Sequence, residues 1–184
     1  TTFSGIPVTP PPGGFLQASA EGESAIIAAV LAGLPDKLGA KPRIADLYAG
    51  SGTLSFALAA RARVSAYEGD APALAALRQA ANRAGLAGRI EAHARDLARQ
   101  PLTDTELAAF AAVVLDPPHA GAPVQTARIA ASKLKRVIYV SCNPAALARD
   151  AATLRQAGFQ LLAATPIDQF LWSARLESVC VFSR

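Results

Sequence analysis

The sequence predicts an α/β fold: a mostly parallel sheet of seven strands, helices on both faces, and an antiparallel last strand. Three observations carry this. From residue 43 onward, runs of strand-forming residues alternate with alanine-rich helical segments, the rhythm of a sheet wound by helical crossovers. The last two strand-like runs have no helix between them, and parallel connections are ordinarily helical, so the final strand should reverse direction. The 184 residues, 52% hydrophobic and 17% charged, are enough for one domain with a proper core and unlike a disordered tail or a coiled coil.

The opening "TTFSGIPVTPPPGGFLQASAEGE" is rich in Pro and Gly and reads as extended or looped. A helix follows from about Glu21 to Leu34, ended by Gly33 and Pro35. "RIADLY" (43–48) is the first strand of the alternating part and "TLSFALAARA" (53–62) its helix. "RVSAYE" (63–68) is a strand. Asp70 then stands as cap of a helix with Pro72 in its first turn and Gly85 near its end. "RIEAHA" (89–94), a short helix around 104–109, "AAVVLD" (111–116) and a helix near 123–132 continue the pattern. "RVIYVS" (136–141) leads through Cys142 to a helix that begins at Asn143-Pro144 and stops at Gly158. "FQLLAATPID" (159–168) and "LESVCVFSR" (176–184) are the last strands.

Composition narrows the classes of function. A net charge of +4 and a pI of about 9.4 tolerate an anionic partner such as nucleic acid without demanding one. Two cysteines, Cys142 and Cys180, make neither a disulfide framework nor a zinc spacing, and no metal is expected in this chain. The apolar runs fall short of a membrane span and no leader pattern is visible, which reads as a cytoplasmic protein with no membrane partner. The chain begins Thr1-Thr2 and has no Met, so residue 1 is not expected to be a translation start and the chain reads as a domain of something longer. A monomer is expected.

In open α/β sheets, ligands bind beyond the carboxyl ends of the strands. Those ends deliver "DLYAGSGTL" (46–54), Glu68, Asp96, "DPPHAG" (116–121) and Cys142. Gly50 and Gly52 allow a tight turn and close approach of a ligand, or form an ordinary strand-to-helix turn. Glu68 ends the next strand, where a carboxylate accepts from both hydroxyls of a ribose. Ser55 stands where a dinucleotide fingerprint needs its third glycine, and Asp46 is unlike most pyrophosphate turns. A nucleoside with an amino-acid arm, whose ammonium group needs acceptors, fits better; S-adenosylmethionine is that ligand.

Cys142 lies at a helix N-terminus, where the dipole favours thiolate over thiol. A thiolate beside a methyl donor suggests covalent activation of a ring, sulfur adding to an electron-poor carbon so that its neighbour becomes nucleophilic. The plainer reading is a small core residue, which is the expectation for Cys180 inside "VCVF". Glu177 is either a solvated strand end or a base that takes a proton from the ring adduct. Asp116 either binds the edge of a base or caps its loop.

"DLYAGSGTLSFALA", "VVLDPPHAG", "VIYVSCNPAALARD" and "LESVCVF", with "GGFLQAS" (13–19) ahead of them, resemble the RNA 5-methyluridine methyltransferases in order and approximate spacing over nearly the whole chain. The resemblance implies a Rossmann-like class I methyltransferase domain at 36–184, with 1–35 a loop and helix packed on it. It implies that Cys142 attacks C6 of a uridine in RNA, ribosomal rather than transfer RNA, and that Glu177 removes the C5 proton. Gln17, Tyr48, Gly50, Gly52, Glu68, Asp96 and Asp116 fall on positions that contact the donor or the base, and Asp116, His119, Asn143 and Arg175 on the substrate side. Full-length members usually carry an N-terminal RNA-binding barrel, and many an iron–sulfur cluster bound by cysteines; both would lie upstream of these residues. Two positions depart from the common pattern: His119 stands where many members have Arg, and Arg175 where many have His. A methyltransferase for another base, and a donor-binding or RNA-binding domain without activity, are the alternative readings.

Overall fold

The computed structural model describes residues 1–170, 172–173 and 175–184. A short hairpin opens the chain, β1 (Thr2–Phe3) and β2 (Ile6–Pro7), followed by α1 (Ala20–Ala32). The alternating part is β3 (Arg43–Leu47), α2 (Thr53–Leu58), β4 (Arg63–Glu68), α3 (Ala71–Arg83), β5 (Ile90–Ala94), α4 (Asp104–Leu107), β6 (Ala112–Leu115), α5 (Pro123–Ala131), β7 (Arg136–Ser141) and α6 (Pro144–Gln156). Two strands, β8 (Gln160–Ile167) and β9 (Glu177–Ser183), close it.

The main sheet has seven strands in the order β5-β4-β3-β6-β7-β9-β8. The first five pair in parallel, while β9 is antiparallel to both β7 and β8. The reversal of the last strand is as the missing crossover helix requires. Its position is not readable from that: β9 inserts between β7 and β8, leaving β8 at the edge with most of its residues exposed.

Side chains on the buried strands alternate between two cores. Ile44, Val64, Val114 and Ile138 pack with Ile26, Phe56 and Leu77 from α1, α2 and α3. Leu47, Leu115 and Tyr139 pack on the other face with Leu107, Ile129 and Leu154 from α4, α5 and α6. Cys180 lies in this second core, as a cysteine inside an apolar run should.

The opening is less irregular than its Pro and Gly content suggests. Ser4 and Gly5 both have positive φ, 47° and 81°, which lets a two-residue turn close the β1–β2 hairpin and bury Phe3 in the first core. Asp70 occupies the cap position of α3, yet its side chain makes no capping bond; its N–H instead donates to Glu68 Oε1 at 2.7 Å. Among the described residues no helix is long and apolar enough to cross a membrane.

Candidate active site

At the carboxyl ends of the central strands a cavity of about 530 Å³ opens. Nine of the residues expected at a site line it: Gln17, Tyr48, Gly50, Glu68, Asp116, His119, Cys142, Arg175 and Glu177. Asp46, Asp70, Phe15 and Phe170 also face it.

The turn after β3 is built from unusual backbone. Tyr48, Gly50 and Gly52 have φ of 63°, 54° and 102°. Gly52 is forced to be glycine by more than its φ, since a Cβ there would meet Phe56 Cε2 at 2.7 Å. It therefore shapes the turn from behind and does not line the cavity. Glu68 holds the turn from the next strand: its Oε2 accepts the Gly50 N–H at 2.8 Å while Oε1 accepts the Asp70 N–H. Each oxygen keeps a further lone pair, so the carboxylate both shapes the loop and remains an acceptor.

Asp46 is 1% exposed; Ser55 Oγ donates to its Oδ2 at 2.5 Å, and Oδ1 has no partner among the described residues. Burial, partly offset by Ser55 and reinforced by Glu68, pushes its carboxyl up to about 7. Asp116 is also pushed up to about 7, by burial and then by the charges of Glu177 and Asp46. Burial, with Asp150, Asp96 and Glu68 adding to it, raises the Tyr48 phenol to about 12. Five carboxylates line the cavity against one guanidinium, that of Arg175. Such a cavity favours a cationic ligand.

Cys142 and Glu177 meet through the sheet. The antiparallel register pairs Ser141 with Ser178, and Cys142 and Glu177 are the next step along it. Glu177 is 3% exposed, which removes the reading of a solvated strand end. Burial raises its carboxyl, and the amide of Gln169 works against that rise. Cys142 is half-buried. The expectation of a depressed thiol is not met: burial, then Glu177 and Asp116, push it up, while its own backbone N–H and Arg175 pull it down. Burial, with two nearby acids, outweighs the helix start.

Three expected residues stand apart from the cavity wall. Besides Gly52, Asn143 is occupied in structure: its Oδ1 accepts the N–H groups of Ala145 and Ala146 and its Nδ2 donates to the His119 carbonyl at 2.8 Å. It thus caps α6 and ties down the "DPPH" loop. Asp96 is exposed, accepting from the N–H groups of Ala98 and Arg99 in a turn, although its charge still bears on Tyr48. Sequence reasoning missed Gln169, whose amide lies behind Glu177, and read Asp70 only as a cap. Phe15 had a signal, two residues before Gln17 in "GGFLQAS". Among the described residues no cluster of His, Cys, Asp and Glu suits a metal ion.

The family described as tRNA (uracil-5-)-methyltransferase matches residues 13–184. An uncharacterized RNA methyltransferase of Brucella suis is 46% identical over 182 residues, which is 99% of this chain and 43% of that protein. The 23S rRNA (uracil(1939)-C(5))-methyltransferase RlmD of Chromohalobacter salexigens is 39% identical over 174 residues, 94% of this chain and 35% of its own length. Among solved structures, the Pyrococcus abyssi tRNA (uracil-54, C5)-methyltransferase in complex with S-adenosyl-L-homocysteine superposes with a TM-score of 0.79 at 24% identity, over 93% of this chain and 40% of that one. This likeness carries the fold, that of a class I S-adenosylmethionine-dependent methyltransferase. The chain spans less than half the length of these relatives. With a family match across almost its whole length, the chain belongs to the tRNA (uracil-5-)-methyltransferase family.

Proposed function

We propose that this chain is the catalytic domain, residues 36–184 with 1–35 packed on it, of an enzyme that methylates C5 of a uridine in RNA through a covalent Cys142 adduct. The observation that carries the reading is that Cys142 and Glu177, distant in sequence, line one acid-rich cavity. The residues present suit S-adenosylmethionine: the unpartnered buried oxygen of Asp46 answers an ammonium group, Glu68 answers ribose hydroxyls, and the surplus of carboxylates suits a sulfonium. When bound, that donor supplies an electrophilic methyl group.

The chain's own residues do the rest. Cys142 Sγ adds to C6, and the C5–C6 π electrons move toward C5, which becomes the nucleophile for the methyl group. Glu177 then accepts the C5 proton; the C5–H pair restores the double bond, and the Sγ–C6 bond breaks with its electrons returning to sulfur. Arg175 lowers the thiol toward the thiolate that the first step needs. The uridine must leave its stack to reach the cavity, at a cost of roughly a few kcal/mol. Ribosomal RNA is the favoured substrate, because the relative named for 23S rRNA is 39% identical.

The test is transfer of labelled methyl from the donor to RNA by the full-length protein, wild type against Cys142→Ala, followed by nucleoside identification. Label at uridine C5 with wild type and none with the variant is expected. Label surviving in the variant would exclude the covalent route, and label on another base would exclude uridine. The raised thiol of Cys142 favours a second reading, a domain that binds donor and RNA without turnover. Donor binding with no adduct on 5-fluorouridine RNA would support that reading instead.

A further inference from the structure

Gln169 is 7% exposed and lies between two cavity residues that are remote in sequence. Its Nε2 donates to Gln17 Oε1 at 2.8 Å and to Glu177 Oε2 at 3.2 Å. A side-chain amide nitrogen has two N–H donors, and both are committed. Gln17 arrives from the segment before α1 and Glu177 from the first residue of β9. The second oxygen of Glu177, Oε1, is buried with no partner among the described residues. Gly22 of α1 backs the amide: a Cβ there would meet Gln169 Oε1 at 2.5 Å and its Cβ at 2.7 Å.

From this geometry we propose that Gln169 is a positioning residue for proton removal. It holds Glu177 by one oxygen, leaves the other free to take the C5 proton, and ties that arrangement to Gln17 on the donor side. The inference rests on the reading of Glu177 as the base. Gln169 itself need not touch substrate. An apolar side chain at this position would leave both Gln17 and Glu177 without their shared donor, and a carboxylate free to rotate is a poorer base.

The consequence is specific to one step. After methyl transfer, C5 carries both the methyl group and the proton, and Sγ remains bonded to C6. Removal of that proton releases the product: the C5–H electrons form the double bond and the Sγ–C6 electrons leave on sulfur. A misheld Glu177 slows this release without slowing addition or methylation, so methylated RNA stays covalently attached to Cys142.

The full-length Gln169→Met variant, similar in length and without a donor, tests this against wild type with uridine-containing RNA. Expected are a fall in turnover of about 10- to 100-fold, part of the roughly 10²- to 10⁴-fold that a general base contributes, a first methyl transfer within about threefold of wild type, and a protein–RNA band in a denaturing gel. The acid limb of its pH–rate profile should move to higher pH, since the lost N–H favoured the carboxylate. Gly22→Ala, which displaces the same amide by contact, should give the same pattern more weakly; it is the second variant should Gln169→Met fail to melt cooperatively. Turnover equal to wild type in the folded variants overturns the proposal. So does an equal loss of first methyl transfer and turnover without an adduct band. A wild-type protein that transfers no methyl group would overturn the underlying reading as well, a result distinct from either pattern.

Discussion

Tyr139 Oη donates a 2.6 Å hydrogen bond to Asp150 Oδ2, and the same oxygen accepts the Ala122 N–H at 2.7 Å. Through this carboxylate, α6 is fastened to β7 and to the start of α5. Arg149 adds a 2.7 Å bond from Nη2 to the Ala120 carbonyl. The end of "SCNPAALARD" therefore anchors the loop that follows Asp116, while its beginning carries Cys142. One motif supplies both the thiol and the support for the opposite wall.

That relationship predicts a graded loss of stability. Asp150→Ala leaves the buried Tyr139 hydroxyl without its acceptor and the Ala122 N–H with only its longer 3.2 Å bond to Tyr139 Oη, and should cost about 2–4 kcal/mol. Tyr139→Phe keeps the Ala122 bond and should cost about 1–2 kcal/mol. Urea unfolding of both variants measures the difference.

The two glycines of the β3–α2 turn should respond differently. A Cβ on Gly52, at φ 102°, would press on Phe56 and Leu77, so Gly52→Ala should lower stability by about 2–4 kcal/mol. Gly50, at φ 54°, has open space around its Cβ, so Gly50→Ala should cost only about 1 kcal/mol. Thermal unfolding separates them; donor titration by calorimetry should show Gly50→Ala weakened at the cavity although it remains folded.

Asp46 makes stability and donor binding depend on pH in opposite senses. Its carboxyl rises from 3.8 to about 7 on folding, so between those values the folded state binds the extra proton. The stability contribution of this group is greatest below pH 4 and falls as pH rises to 7. Asp46→Asn should thus gain on wild type by roughly 2–4 kcal/mol between pH 4 and pH 8. A cationic donor prefers the ionised form, so wild-type donor affinity should strengthen from pH 6 to pH 8 while the variant's stays flatter. Urea unfolding and calorimetry across this range read the two effects.

Arg175 should control the reactivity of Cys142. It pulls the thiol down against burial and two acids, so Arg175→Ala should shift the alkylation profile of Cys142 toward higher pH and slow its reaction with iodoacetamide near neutrality. Arg175→Lys keeps the charge and should shift it less. Mass spectrometry distinguishes Cys142 from the buried Cys180, which should remain unmodified in the folded protein.

Much of this site is legible in the sequence. The strand into Cys142 and the Asn143-Pro144 start of α6 follow from local chemistry, a strand-forming run meeting a cap and a fixed φ. The acids at the ends of β3, β4 and β6 follow from the alternation of strands and helices. Glu177 stays open between a base and a solvated strand end on local chemistry, and only the resemblance chooses the base. Gln169 had no signal, because a glutamine between Asp168 and Phe170 declares nothing about its partners until α1 and β9 close around it. The resemblance places Asn143 and Asp96 on the ligand side, but no stretch of sequence reveals that Asn143 already bonds Ala145, Ala146 and His119, or Asp96 the N–H groups of Ala98 and Arg99.

By itself the sequence determined the seven strands, the helices between them, the antiparallel return of the last strand and the family to which the chain belongs. Propensity, caps and period-two alternation act over a few residues and are written locally. Only the tertiary structure decided that β9 enters between β7 and β8, which brings Glu177 beside Cys142 and buries it. It also decided that the thiol is raised and not lowered, that Asp46 and Asp116 are pushed up to about 7, and that Gln169 holds Glu177. Strand order, desolvation and charge–charge coupling depend on which distant segments pack together, and that information is absent from any one stretch of chain.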